Sequence, residues 1–465
     1  MSPAAAAVCV DVGSTFTKAV AVRLNGSGAG QVLGTAVHPT TADTDVLTGL
    51  DAVVAELAPA AGPDPDLRVC SSAGGGLRLA VVGYEQAVTA EAGRRVGLSA
   101  GAKVVHVACG PMDGAAVRAL RACRPDVVLL VGGTDGGNAT VLRHNGYRLA
   151  RARLAAPVVV AGNAAAGDEV VAVLVAAGRR AIVAANVLPR IGTLEPLGAR
   201  SAIREVFLRH VIGGKGLSRG PRFASLVRAA TPDAVLAGVE LLADGAPAHA
   251  VPALGDVLVV DVGGATTDVY SVLTPEGEDA TLRKEVVAPL WRARTVEGDL
   301  GMRWGAGATV SAATAEGLVP PDVLDRLEAA ALLRTDDPGW LPQTADAVED
   351  DLTLARLAVT VALRRHARPA GPTSAGRDLR RVVVVIGSGG VLRHADAAAR
   401  AGVLAPAGSD HAGGWRVPQR PRMAVDQQSV LCAAGLLQVD HPRAAAVLAR
   451  SLALLVAAGH PRLAR

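Results

Sequence analysis

Val8-Cys-Val-Asp-Val-Gly-Ser-Thr-Phe-Thr-Lys-Ala-Val-Ala-Val22 sets two β-rich runs on either side of a small-residue turn. About 250 residues later Val257-Leu-Val-Val-Asp-Val-Gly-Gly-Ala-Thr-Thr-Asp-Val-Tyr-Ser-Val272 does the same. The β-branched residues predict strands and the glycines predict the turns, so each stretch reads as a hairpin. A glycine turn lets successive backbone amides face an anion with no side chain in the way. A carboxylate at the end of the preceding strand can hold a hydrated magnesium ion. Asp11 and Asp261 are therefore candidate metal carboxylates, and Gly13, Gly263 and Gly264 candidate phosphate cradles, with hydroxyls from Ser14, Thr15, Thr266 and Thr267. Either hairpin alone is equally an ordinary turn. Their recurrence predicts an internally duplicated fold.

Working outward, a third strand is expected over Gln31 to Val37. The spacing of Val46, Leu47, Leu50, Val53, Val54 and Leu57 then predicts a helix, with Asp43 or Thr44 as cap and Pro59 as stop. Between about residues 67 and 187, Val104 to Ala108, Asp126 to Val131, Pro157 to Ala161 and Arg180 to Ala185 read as strands alternating with helices, the pattern of parallel βαβ units. Gly132-Gly-Thr-Asp-Gly-Gly-Asn138 follows one of them, where open α/β sheets place ligand loops, but it lacks dinucleotide-type glycine spacing. It reads as a partner-facing or small-ligand loop, or as a bare tight turn. Pro369 to Asp378 is loop-like; Val382 to Ile386 is a strand leading into the turn Gly387-Ser-Gly-Gly390; Asp426 to Leu437 and Pro442 to Ala458 are helices.

Composition excludes several classes. At 465 residues, 50% of them hydrophobic and 19% charged, the chain suits two or three globular domains. A net charge of +4 spread along the length, with only 2% aromatic residues, gives neither a basic stripe nor base-stacking platforms, so no nucleic-acid partner is expected. The five cysteines Cys9, Cys70, Cys109, Cys123 and Cys432 are widely spaced with no CxxC pair, which argues against a disulfide framework or structural zinc and for a cytoplasmic location. The longest apolar runs are too short or interrupted to span a bilayer, so no membrane partner is expected either. P-loop, HExxH and GxSxG signatures are absent.

Three stretches, Asp11 to Lys18, Asp261 to Val269 and Ile386 to Val391, resemble in order and spacing the phosphate-1, phosphate-2 and adenosine motifs of the actin, Hsp70 and sugar-kinase superfamily. The resemblance implies an α/β, duplicated ribonuclease H-like (actin-like ATPase) two-lobed fold with an inserted parallel α/β region, and ATP or ADP with Mg2+ as cofactors. It implies that Asp11 and Asp261 bind magnesium through water, that Thr266 lies near the γ-phosphate, and that Asp268 orients the attacking water. Gly387, Ser388, Gly389 and Gly390 would border the adenosine. Lys18 would neutralise phosphate charge or else face solvent. Glu297 and Asp299 would reach nucleotide or metal, or cap a helix.

Closer still, Asp11-Val-Gly-Ser-Thr-Phe-Thr-Lys18, Gly132 to Asn138 and Arg294-Thr-Val-Glu-Gly-Asp-Leu-Gly-Met302 are similar to the glutamate mutase accessory family, often called MutL or GlmL, over nearly the whole chain. This implies an ATPase that reactivates or chaperones an adenosylcobalamin-dependent mutase, with the mutase subunits as partners. The expected division is residues 1–75 for the first half of lobe I, 76–250 for the inserted region and connecting helices, 251–424 for lobe II and 425–465 for helices returning to lobe I. Two rivals stay open: a small-molecule kinase or ATP-dependent hydrolase with Asp299 as its only candidate base, and a non-catalytic or filament-forming protein.

Overall fold

The computed structural model describes residues 4–73, 77–100, 102–211, 216–274, 291–369 and 376–458. The chain divides into two units, one of residues 1–74, 217–274 and 294–465, the other of residues 75–216 and 275–293.

The chain opens with β1 (Ala6–Val12), β2 (Phe16–Arg23) and β3 (Val32–Pro39), then a helix over Val46–Ala61 and β4 (Asp66–Ser71). It continues through β5 (Arg78–Gly83), β6 (Lys103–Cys109), β7 (Val127–Leu130), β8 (Val158–Val160) and β9 (Ala181–Val183). It returns to the first unit with β10 (Val227–Ala230) and the helix Thr231–Asp244. A second lobe follows: β11 (Val257–Val262), β12 (Thr267–Val272), β13 (Arg292–Glu297), β14 (Val384–Ser388) and β15 (Arg422–Val425), closed by helices Val430–Leu437 and Pro442–Ala458.

Two sheets share one plan. Their orders are β10-β4-β1-β2-β3 and β13-β12-β11-β14-β15, so in each lobe the first strand lies between the second and the fourth. In each, the first strand pairs antiparallel with the second and parallel with the fourth. This is the duplicated ribonuclease H-like, two-lobed actin-like arrangement. Central position explains burial: Val8, Val10 and Val12 of β1 and Val257 to Val260 of β11 have no exposed surface, and each such side chain contributes about 1.5–3 kcal/mol. The helix that follows each lobe's last strand crosses its counterpart. A Cβ on Gly238 would stand 1.9 Å from the Leu431 carbonyl oxygen, and one on Gly435 would stand 1.8 Å from that of Ala234. Backbone lies on backbone there, and only glycine permits it.

The second unit holds one sheet of order β6-β5-β7-β8-β9, parallel throughout. Its inner strands β7 and β8 are buried at every residue, as a parallel sheet covered on both faces requires. This is the inserted parallel α/β region.

The structure departs from the sequence reading in places. The inserted unit stops near residue 216, short of 250, because Val227–Ala230 pairs with β4 in the first lobe. The first helix is capped by Asp45, whose carboxylate accepts the Leu47 amide at 2.9 Å, in place of Asp43 or Thr44. Pro59 sits inside that helix, and the stop is made by Gly62 at φ 87°, a conformation that favours glycine. The strand expected over Val382 to Ile386 lies two residues later. The helix expected from Asp426 begins at Val430, with the Asp426 carboxylate accepting the amides of Val430 and Leu431 at 2.8 and 3.0 Å. Residues 370–375 of the expected Pro369 to Asp378 loop lie outside the described residues. Among the described residues no helix is long and apolar enough to cross a membrane.

Candidate functional site

The two hairpins have the same register. Asp11 faces Lys18 across the first and Asp261 faces Asp268 across the second, and four residues separate the paired ends, Val12 with Thr17 and Val262 with Thr267. Each turn closes through one bond: Gly13 donates to the Phe16 carbonyl at 3.2 Å, and Gly263 to that of Thr266 at 2.9 Å. A Cβ at either glycine would meet that carbonyl oxygen, at 2.7 and 2.9 Å. The amides of Ser14, Thr15, Gly264 and Ala265 donate to no backbone carbonyl among the described residues.

Within the first unit the hairpins approach each other. A Cβ added to Gly264 would stand 2.5 Å from Thr15 Oγ1. That hydroxyl is buried and without a hydrogen-bond partner among the described residues, an atom left for something else to satisfy. Ser388 is the neighbour of Asp261 in the sheet. At Gly389, with φ of 116°, a Cβ would lie 2.2 Å from the Val262 carbonyl oxygen, so backbone from β14 is held against the second hairpin. Gly387 is buried and Gly390 exposed.

The carboxylates differ in company. Asp11 accepts the Thr231 hydroxyl at 2.5 Å and lies 3.8 Å from Lys18 Nζ, so Lys18 is tied to Asp11 and does not simply face solvent. Asp261 has no side-chain hydrogen bond or ion pair among the described residues. Asp268 pairs with the buried Arg294 at 2.9 Å and lies 3.5 Å from the Thr266 hydroxyl; burial pushes its carboxyl up while Arg294 opposes the shift. Arg294 also stands over the Tyr270 ring at 5.6 Å. Glu297 and Asp299 are both held by Arg365, at 2.8 Å and at 2.7 and 2.9 Å, with burial raising the Glu297 carboxyl. Thr267 has no exposed surface, so its hydroxyl does not line the mouth of the turn. Sequence reasoning missed Arg365 and Thr231, which leave no local signal, and met Arg294 only as the first residue of the motif Arg294 to Met302, with no link to Asp268.

The Arg294 to Met302 motif is a buttress. The amides of Met302 and Arg303 donate to the carbonyls of Gly263 and Gly264 at 3.0 and 2.8 Å, and a Cβ on Gly301 would strike the Ala265 carbonyl at 2.6 Å. With those carbonyls engaged from below, the turn is held in one conformation.

The Gly132 to Asn138 loop follows β7 at the point where the order of the parallel sheet reverses, between β5 and β7. Asp135 accepts the Ala164 amide and the Asn186 side-chain amide at 2.9 and 2.8 Å, Asn186 also donates to the Gly133 carbonyl at 3.0 Å, and Asn163 to that of Gly137 at 2.8 Å. These contacts tie the loop to Asn163, Ala164 and Asn186.

The sequence profile of the family described as MutL protein matches residues 7–452. Protein MutL of Clostridium tetanomorphum is 35% identical over 451 residues, covering 93% of this chain and 96% of that one. Two solved structures align at low similarity: the ethanolamine utilization protein EutJ from Carboxydothermus hydrogenoformans (10% identity, 96% of this chain, 90% of that chain, TM-score 0.30) and a ROK family glucokinase from Streptomyces griseus (14%, 96%, 99%, 0.31). These last are too remote to bear on chemistry. A profile match over almost the entire length, joined to a relative at this identity, places the chain in the MutL protein family.

Proposed function

We propose that the protein binds ATP with magnesium between its two hairpins, hydrolyses it, and uses the change to reactivate or chaperone an adenosylcobalamin-dependent mutase of the glutamate mutase kind. The observation that carries the nucleotide reading is the approach of two equivalent glycine turns at Gly264 and Thr15. The residues present suit the ligand: among the described residues, the amides of Ser14, Thr15, Gly264 and Ala265 donate to no backbone carbonyl, the buried Thr15 hydroxyl has no hydrogen-bond partner, and Asp261 has no side-chain partner. Asp11 and Asp261 would hold magnesium, and the ion when bound would neutralise phosphate charge.

Gly13, Ser14, Thr15, Gly263 and Gly264 would grip the phosphates, with Thr266 beside them. Gly387 to Gly390 would border the base and sugar. Lys18 sets the Asp11 carboxylate by its charge. Arg294 holds Asp268 at the second turn, where that carboxylate orients water. A ligand touching both lobes favours their closure, and loss of one phosphate removes part of that preference. The mutase partner is supported by membership of the MutL family, and the Gly132 to Asn138 loop is the partner-facing or small-ligand surface we assign to the inserted unit. The kinase rival needs an acceptor-facing base, and its candidate, Asp299, is occupied by Arg365.

Calorimetry with Mg-ATP, phosphate release, and capture of partners from cell extract with ATP or ADP test this reading. The expected result is nucleotide uptake, turnover, and a cobalamin mutase subunit whose retention depends on the nucleotide. No nucleotide uptake sinks the first half of the proposal; uptake without any mutase in the eluate sinks the second.

A further inference from the structure

Beside Asp11 lies a group that the nucleotide reading does not use. Cys70 is the parallel-strand neighbour of Asp11, the place that Ser388 takes beside Asp261 in the other lobe. Cys432 arrives from the helix Val430–Leu437, and its Sγ is 3.3 Å from that of Cys70. Cys70 Sγ is 3.8 Å from Asp11 Oδ1. Thr231 Oγ1 lies 2.5 Å from the same carboxylate oxygen and 3.6 Å from Cys70 Sγ. One ligand atom from each of Asp11, Cys70 and Cys432 falls within 4.8 Å of the others. Both cysteines are free thiols.

These distances are close to those a tetrahedral ion imposes. With metal–sulfur bonds of about 2.3 Å and a metal–oxygen bond of about 2.0 Å, two sulfurs stand about 3.8 Å apart and sulfur and oxygen about 3.5 Å apart. The Cys70–Cys432 separation of 3.3 Å and the Cys70–Asp11 separation of 3.8 Å each lie within about half an ångström of these values, and Cys432 Sγ stands within 4.8 Å of an Asp11 carboxylate oxygen. Two sulfurs and one carboxylate oxygen select zinc, cadmium or cobalt over magnesium, which takes oxygen ligands in octahedral geometry. The Thr231 hydroxyl or a water is available for the fourth position.

We propose that Asp11, Cys70 and Cys432 form a binding site for a thiophilic divalent cation, with zinc as the representative ion. Binding forms two metal–thiolate bonds and one metal–carboxylate bond and releases the two thiol protons to solvent; no electrons are transferred. The ion draws the Asp11 carboxylate into its own shell and away from the first hairpin. That consequence rests on the proposed nucleotide reading; the metal site itself does not.

The test is titration of the reduced full-length chain, in a phosphine reductant, with cobalt(II) as a spectroscopic probe for zinc. The expected result is a near-ultraviolet thiolate-to-cobalt charge-transfer band that saturates at one equivalent and is bleached by zinc. Cys70→Ser and Cys432→Ser should each remove most of the band, and Cys109→Ser, an exposed cysteine elsewhere, should leave it intact. No band in the wild-type protein overturns the proposal whether or not the variants fold, and so does a band that survives in the folded double variant. As a second arm, one equivalent of zinc should weaken Mg-ATP binding about tenfold in the wild type and leave Cys70→Ser unaffected, a change of about 1.4 kcal/mol. A cobalt band in a protein that takes up no ATP would leave the metal site standing and remove the nucleotide reading.

Discussion

The first and second hairpins are one backbone design with two electrostatic characters. Across the first, Asp11 faces a cation, Lys18; across the second, Asp261 faces another carboxylate, Asp268. The first turn is therefore balanced within two strands. At the second, among the described residues, Arg294 on β13 pairs with Asp268 and is buried against Tyr270. A duplicated fold preserves where the backbone amides point and leaves the charge of each copy free to diverge. On the nucleotide reading proposed above, Asp261, with no side-chain partner among the described residues, is the freer of the two candidate metal carboxylates, and Asp11 is engaged by Lys18 and Thr231.

Four experiments break or sharpen that contrast. The largest effect is expected from Arg294→Ala, which leaves Asp268 buried without its partner and should cost about 3–5 kcal/mol in urea unfolding. An effect below 1 kcal/mol would mean that the second hairpin does not depend on β13 for its charge balance. Next, Asp261→Asn should lower ATP turnover about 100-fold, near 2.7 kcal/mol in barrier, and Asp11→Asn about tenfold. Equal losses in steady-state phosphate release would erase the division of labour. Gly13→Ala and Gly263→Ala should each destabilise by about 1–3 kcal/mol, because the added methyl group meets a turn carbonyl in each, that of Phe16 and that of Thr266. Clearly unequal midpoints in thermal unfolding would show that the turns are not equivalent. Smallest is Lys18→Ala, expected to change stability by no more than about 1 kcal/mol, since its pair with Asp11 is long at 3.8 Å and partly exposed. Its effect should appear instead as weaker nucleotide affinity by calorimetry.

The hairpins were legible in the sequence because their signal is local: β-branched strands, an aspartate and a glycine within a few residues. Strands made by their neighbours were not. Val227–Ala230, with two alanines and an arginine, has little strand character of its own and becomes one by pairing with β4. Arg78–Gly83 is a short apolar run just after a glycine cluster, yet it lies inside the inserted sheet, paired with both β6 and β7. The caps were ambiguous for a different reason: Thr40-Thr-Ala-Asp-Thr-Asp45 offers several capping side chains, and only the backbone decides that Asp45 is the one. At the site, nothing local in the sequence marks the partners of Asp268 and Asp299, because Arg294 and Arg365 are 26 and 66 residues away. The pairing of Cys70 with Cys432 spans 362 residues and could come only from the fold.

The crossing of Thr231–Asp244 over Val430–Leu437 has a mechanical consequence. Side chains that interlock between helices resist rotation, because turning one helix means repacking every ridge in its groove. Where Gly238 and Gly435 bring main chain to main chain, there are no such teeth at the point of closest approach. At that point the crossing offers less resistance to turning than interlocked ridges would.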